Sequence, residues 1–196
     1  MKKFDIRDLV NAGVFSILVL MATWCAGMVG YLPILMPLVP FSCCLFSGPV
    51  FMLYSTRINK FGMVLIMGIL FASVFSLSGH GAIVFPFTIV VALLAELVIK
   101  KGNYKSVKYA RLSYVVFSLF AAANLLPLYI AREAYLQKMV EKGYSKEFME
   151  KLYSFMPNWS FLPVVALGML GAYLGCTIGI KILKKHFEKA GMIKWN

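Results

Sequence analysis

The sequence predicts an all-α integral membrane protein: six transmembrane helices, both termini cytoplasmic, and an external amphipathic helical segment between helices five and six. Three observations carry this. Of 196 residues, 61% are hydrophobic and 14% are charged, which leaves too little polar surface for a soluble domain of this length. The apolar residues come in six long runs, and a helix needs roughly 20 residues to cross a hydrocarbon core about 30 Å thick. The net charge of +12 sits on residues that flank the runs, where charge sets orientation in a bilayer rather than binding nucleic acid. The runs use up most of the chain, so residues 1–196 read as one membrane domain.

Met1 to Asp8 is a short polar start with Lys2, Lys3 and Arg7. The first span covers 9–29. It is too long, and followed by too many others, to be a cleaved signal peptide. After the turn Gly30-Tyr31-Leu32-Pro33, the second span covers 31–54 and carries Pro33, Pro37, Pro40 and Pro49. Proline removes a backbone donor and kinks a helix. In hydrocarbon the freed groups must find partners within the protein, so this segment is predicted to be irregular and to line an interior feature.

A short loop with Arg57 and Lys60 leads to the third span, 61–77. The uncharged turn Ser78-Gly79-His80-Gly81 joins it to the fourth, 82–99. The next loop holds Lys100, Lys101, Lys105, Lys108 and Arg111, and the fifth span covers 112–131. Within it Pro127, near Asn124, is expected to loosen the helix locally. A polar segment over 132–159 precedes the sixth span, 160–183, and a basic tail.

An inside amino terminus places fifteen of the twenty basic residues on the cytoplasmic side, including Lys181, Lys184, Lys185, Lys189 and Lys194. The other side receives only Arg132, Lys138, Lys142, Lys146 and Lys151, interleaved with Glu133, Glu141, Glu147 and Glu150. Every short loop obeys the positive-inside rule. In the 132–159 segment Tyr135, Met139, Phe148, Leu152 and Phe155 are spaced for an amphipathic helix, or for two broken at Gly143 with Ser145 starting the second. Such a segment caps the bundle or lies on lipid headgroups.

Catalytic content is poor. The histidines are His80 and His186, the latter in the basic tail. Glu96 stands four residues before Lys100, the spacing of a helical ion pair. Cys25, Cys43, Cys44 and Cys176 form no CxxC pair and read as packing residues. No HExxH, GxSxG or phosphate-binding glycine loop is present, so neither an enzyme nor a resident cofactor or metal is expected.

Small residues are patterned. Gly171, Gly175 and Gly179 share one face of span six, beside Gly168 and Ala172. Span one has Ala12 and Ser16, then Ala22 and Ala26. Such faces admit a close helix neighbour, either within the bundle or on a partner. Trp24, Tyr31, His80, Asn124, Tyr129, Arg132, Asn158 and Trp159 gather polar and aromatic character toward the external side. Two roles fit them. Tyr129, Trp24 and Trp159 suit an interfacial aromatic belt, and Asn124 suits interhelical hydrogen bonding. Together they also suit a site open to the outside and roofed by the 132–159 segment.

Four stretches carry a family resemblance: Gly30-Tyr31-Leu32-Pro33-Ile34-Leu35-Met36-Pro37, Lys60-Phe61-Gly62-Met63, Ser78-Gly79-His80-Gly81 and Lys184-Lys185-His186-Phe187. With them the chain, over nearly all its length, resembles the substrate-binding (S) components of energy-coupling factor (ECF) transporters, and more specifically the Trep_Strep integral membrane family. The resemblance implies a multi-pass protein of the bacterial plasma membrane. It would capture a micronutrient at the outer face, by the resemblance a vitamin-like molecule; His80 among aromatic and methionine side chains would also suit haem or another metal chelate. Its partners would be a transmembrane coupling subunit and two ATPase subunits. In the S components an AxxxA pattern on the first helix forms the docking face; Ala12 and Ser16 meet it loosely, while Ala22 and Ala26 meet it literally but nearer the outer end. The ligand would be held by loops near Tyr31, His80 and Asn158-Trp159. The readings set against this are an integral membrane enzyme on lipid or prenyl substrates, a channel or facilitator, and a membrane scaffold.

Overall fold

A computed structural model describes residues 5–185, and every regular element among them is helical. The helices are α1 (Ile6–Gly27), α2 (Val39–Ser55), α3 (Met63–Phe75), α4 (Val84–Lys101), α5 (Val107–Phe117), α6 (Phe120–Ile130), α7 (Arg132–Glu141), α8 (Lys146–Phe155) and α9 (Phe161–Leu183). Tighter or wider turns join them at Met28–Tyr31, Pro33–Leu38, Ser76–His80 and Asn158–Ser160. Lys2, Lys3, His186, Phe187, Lys189 and Lys194 lie outside the described residues.

Five helical segments are long and apolar enough to cross a membrane: Ile6–Tyr31, Pro33–Ser55, Met63–His80, Val107–Ile130 and Asn158–Leu183. The chain is therefore a multi-pass membrane protein. The predicted fourth span is α4, 18 residues long. It stands apart from the five because Glu96, Lys100 and Lys101 all fall within it.

Each start has a local cause. At α1, the Asp5 carboxylate accepts from the Ile6 N–H at 2.7 Å and Asp8 accepts from the Asp5 N–H at 2.8 Å. This reciprocal capping box satisfies donors that a helix start leaves open. The same Asp8 carboxylate pairs with Lys60, fastening the α2–α3 loop to the start of α1. The prolines act as predicted on the second span: Pro33–Leu38 is a 3₁₀ turn, and the α-helix begins only at Val39.

The fifth span is broken, but not at Pro127. α5 ends at Phe117 and α6 starts at Phe120. Between them the Leu119 N–H donates to Val116 O at 3.2 Å and the Ala121 N–H to Ser118 O at 3.0 Å, while the Ser118 hydroxyl takes Val115 O at 2.7 Å. These three-residue bonds tighten one turn, and a serine side chain competing for its own helix carbonyls favours such a turn.

The most extensive helix packing is between α2 and α9. A Cβ placed on Gly48 would stand 2.7 Å from the Gly175 backbone, and one on Gly179 would stand 2.7 Å from Pro49 Cα. Gly168 lies on Pro40, Gly171 on Phe41 and Gly175 on Cys44 and Leu45. The glycine face of the sixth span thus serves packing inside the chain, bringing two backbones together without side chains between them. The centre is aromatic: Phe51 stacks on Tyr114 at 4.6 Å, and Phe71 meets Phe117 at 5.4 Å and Phe120 at 5.0 Å.

Glu96 does not make the predicted ion pair with Lys100. Its carboxylate is fully buried and accepts from the Val64 N–H at 2.8 Å, the Leu65 N–H at 3.1 Å and the Tyr104 hydroxyl at 3.3 Å. Lys100 instead lies over the Phe61 ring at 5.1 Å. The reason is that Gly62 heads α3 with no side chain to cap it. A buried carboxylate gains more from two backbone donors than from a lysine that can reach solvent.

Alternation of the long helices sorts the loops to two ends. One end holds residue 5, the α2–α3 loop, the α4–α5 loop and the close of α9, and it is the basic end. The other holds the 28–38 segment, the 76–83 turn and the 131–160 segment. The last is two helices, as its pattern predicts: α7 stops before Gly143, whose φ of 96° suits glycine, and Ser145 Oγ accepts from the Phe148 N–H at 3.1 Å to start α8. α8 packs on Pro33–Leu38, and its Met149, Leu152 and Phe148 join Leu125, Leu128, Met36 and Val164 in a second apolar cluster. The 132–159 segment is a cap seated on the bundle.

Candidate functional site

The capped end holds several of the polar groups that the bundle itself leaves unused. α3 closes in a wide turn, Ser76–His80, that touches both α4 and α6. Beneath it lies an aromatic floor: Phe75 against Phe71 at 5.9 Å and against Phe120 at 6.0 Å. The His80 ring meets Phe75 edge to face at 5.3 Å and 86°, and its Nδ1 is 3.3 Å from Ser78 Oγ. Among the described residues, Ser76 Oγ of the turn, Thr88 Oγ1 of α4 and Asn124 Oδ1 of α6 are buried with no protein partner, as are Ser16 Oγ of α1 and Arg132 Nε. The Asn124 amide donates to Phe120 O at 2.9 Å, which leaves its oxygen as an acceptor. Serine and threonine hydroxyls donate and accept, and imidazole can do either.

The cap reaches over this region. Lys142, in the α7–α8 turn, donates to Ser78 O at 3.1 Å and lies against Gly79. Lys138 and Lys142 bring positive charge toward His80.

The residues singled out from sequence divide into three groups. His80 and Asn124 belong to the aromatic floor. Tyr129 and Arg132 are joints between bundle and cap. The Tyr129 hydroxyl is 2.9 Å from Ser160 Oγ, and its ring meets Phe161 at 5.1 Å. The Arg132 guanidinium donates to Met156 O and lies over the Tyr153 ring at 5.1 Å, while the Tyr153 hydroxyl returns a bond to Arg132 O at 2.6 Å. The third group, Tyr31, Asn158 and Trp159, is exposed, with Tyr31 at 67% and Trp159 at 75%. Sequence reasoning passed over Ser76, Thr88 and Lys142. Thr88 carried a usable signal, since a hydroxyl inside an apolar run needs a partner. Lys142 carried none, because its contact spans 64 residues of chain.

The cap has its own electrostatics. Burial pushes the Tyr135 hydroxyl up to about 12, aided by the neighbouring Tyr144 and Tyr153. Glu147 is held below the usual carboxylate range by its hydrogen bond with Lys151, at 2.7 Å. On α1, Ala12, Ser16 and Ala26 are buried within the chain and Ala22 is half-buried. The outward face of α1 carries Val10, Val14, Ile17, Met21 and Trp24 instead. Among the described residues no three histidine, cysteine or acidic groups are placed to hold a metal ion.

Residues 6–189 match the family model described as a hypothetical bacterial integral membrane protein, Trep_Strep. No curated protein and no solved structure matches the chain.

Proposed function

The chain belongs to the Trep_Strep family of bacterial integral membrane proteins, and from that premise we propose that it is the substrate-capturing membrane subunit of an ECF-type importer. In this reading α4 also crosses the membrane as the fourth of six spans, both termini are cytoplasmic, and the capped end faces outward. The charge asymmetry of the two ends supports the orientation. The cargo is a micronutrient, vitamin-like or a haem or metal chelate, bound at the outer face. Energy comes from a transmembrane coupling subunit and two ATPase subunits, in keeping with a chain that has no phosphate-binding loop of its own.

One observation carries this reading above the others. Ser76, Thr88 and Asn124 each keep a buried polar atom with no protein partner, and the cap reaches the Ser76–His80 turn through Lys142, which donates to Ser78 O. A scaffold has no need of unpartnered buried polar groups. A lipid-modifying enzyme would need a catalytic constellation of acid, base or metal, and His80 stands here with Ser78, Ser76, Thr88 and Asn124 but, among the described residues, no carboxylate beside it. Partner docking on α1 would use its outward face of Val10, Val14, Ile17, Met21 and half-buried Ala22, since Ala12, Ser16 and Ala26 already pack inside.

The test is to purify the protein from its native membrane and record its native mass spectrum, absorption spectrum and co-purifying proteins. A retained small molecule, or a Soret band, together with ATPase subunits is the expected result. His80→Ala and Asn124→Ala should each lower occupancy at least tenfold. A protein that arrives empty and alone, and then fails to bind flavins, thiamine, biotin, cobalamin or haem, would overturn the reading.

A further inference from the structure

The basic end carries a second feature, remote from the capped site. Where α4 ends and α5 passes it, an open groove runs along the outer surface. Its floor is apolar: Leu94, Leu97 and Val98 of α4 and Val116 of α5. Its rim is polar: Lys100, Lys101 and Asn103. Leu94, then Leu97 with Val98, then Lys101 follow one another about a turn apart, so the apolar stripe leads straight to an ammonium group. Leu94 and Leu97 are more than 40% exposed, facing away from the helical core.

We propose that this groove holds one anionic phospholipid, with an acyl chain along the leucine–valine floor and the headgroup phosphate at Lys101 and the Asn103 amide, flanked by Lys100, whose ammonium lies over the Phe61 ring. Charge decides the occupant. From Leu97 to Ala131 the chain has no acidic residue, while Lys105, Lys108 and Arg111 add to the positive field. The nearest carboxylate, Glu96, is turned into the bundle and spent on α3 and Tyr104. Depth decides it too. The lysines occupy the last turn of an apolar helix, where hydrocarbon gives way to headgroups. A basic pocket at that level, between helices, has the chemistry that binds anionic headgroups. A soluble phosphate compound would use the rim and leave the floor unoccupied. A zwitterionic lipid would fill the floor but set its own ammonium against the lysines.

The inference rests on the proposed crossing of α4 and is independent of the cargo. The test is native mass spectrometry of the full chain released from nanodiscs made of equal parts phosphatidylglycerol and phosphatidylcholine. One phosphatidylglycerol per chain should be retained at least fivefold over phosphatidylcholine. Lys100→Gln/Lys101→Gln should abolish the preference, and Leu97→Asp should reduce retention while leaving helicity and melting temperature within error. Lys146→Gln/Lys151→Gln, at the opposite end, should leave the preference intact. Millimolar glycerol phosphate should not displace the lipid. Equal retention of both lipids, a preference that survives the double lysine variant, or displacement by glycerol phosphate would each overturn the proposal.

Discussion

The Glu96 carboxylate of α4 caps a different helix, accepting the Val64 N–H at 2.8 Å near the start of α3. The Leu65 N–H adds a second bond to the same oxygen at 3.1 Å. Helix starts leave backbone donors open, and Gly62 has no side chain to serve them. One acidic residue thereby locks the third and fourth helices in register. Glu96→Ala should cost about 2–3 kcal/mol, because it strands buried donors rather than merely deleting a bond. Glu96→Gln keeps an oxygen for Val64 and Leu65 and should cost less than half as much. Reversible unfolding in mixed micelles, followed by circular dichroism, reads both. Equal losses in the two variants would refute the capping role.

The α2–α9 contact makes a sharper prediction about glycine. Gly175→Ala would drive its new methyl against the carbonyls of Cys44 and Leu45, which are backbone and cannot rotate away. The helices must separate, losing packing along their length, with an expected cost of about 2 kcal/mol or more. Gly13→Ala is the control. Nothing lies within 4 Å of the added methyl, and replacing a helical glycine should stabilise by about 0.5–1 kcal/mol. Thermal melting of the two variants in one detergent should move in opposite directions.

These two cases show where sequence reasoning was sufficient and where it failed. The glycines at 171, 175 and 179 announce a close helix approach by spacing alone, but not which helix approaches; only folding brings Phe41, Leu45 and Pro49 to meet them. The cap helices were legible because Gly143 and Ser145 are local signals for stopping and starting a helix. Glu96 was misread because the i, i+4 rule knows only its own helix, and the competing donors lie 31 and 32 residues away. For the same reason Asn124 and His80 could be suspected singly, while their common aromatic floor depends on ring contacts between α3 and α6.

The cap should be sensitive to alkali. The Tyr135 hydroxyl ionises at about 12 rather than the ordinary 10, because burial disfavours the phenolate. A folded value above the unfolded one means the neutral form supports the folded cap. That support is complete below about pH 10 and is lost as pH rises toward about 12. Limited proteolysis of the α7–α8 region should therefore accelerate over this window. Tyr135→Phe has no proton to lose, so its cleavage rate should stay flatter across the same range. A wild-type rate that does not change between these limits would show that the hydroxyl is already in water.

Orientation can be read by chemistry at single sites. Cys43, Cys44 and Cys176 are buried, and Cys25 is exposed on α1, so a Cys25→Ser background leaves little thiol for a reagent to find. In that background Lys146→Cys, at the start of α8, samples the capped end, and Lys105→Cys, in the α4–α5 loop, samples the basic end. Both positions are exposed. If fifteen of twenty basic residues mark the cytoplasm, as the positive-inside rule requires, a membrane-impermeant maleimide added to intact cells should label position 146 and leave 105 untouched. Permeabilisation should then expose 105. The test also decides the fate of α4, because positions 105 and 146 are separated by one apolar stretch, α5 and α6, while α4 lies between position 105 and the 76–83 turn. A third substitution, Ser78→Cys in that turn, should label together with 146. Labelling of 78 with 105 instead would mean that α4 does not cross, leaving five spans and termini on opposite sides.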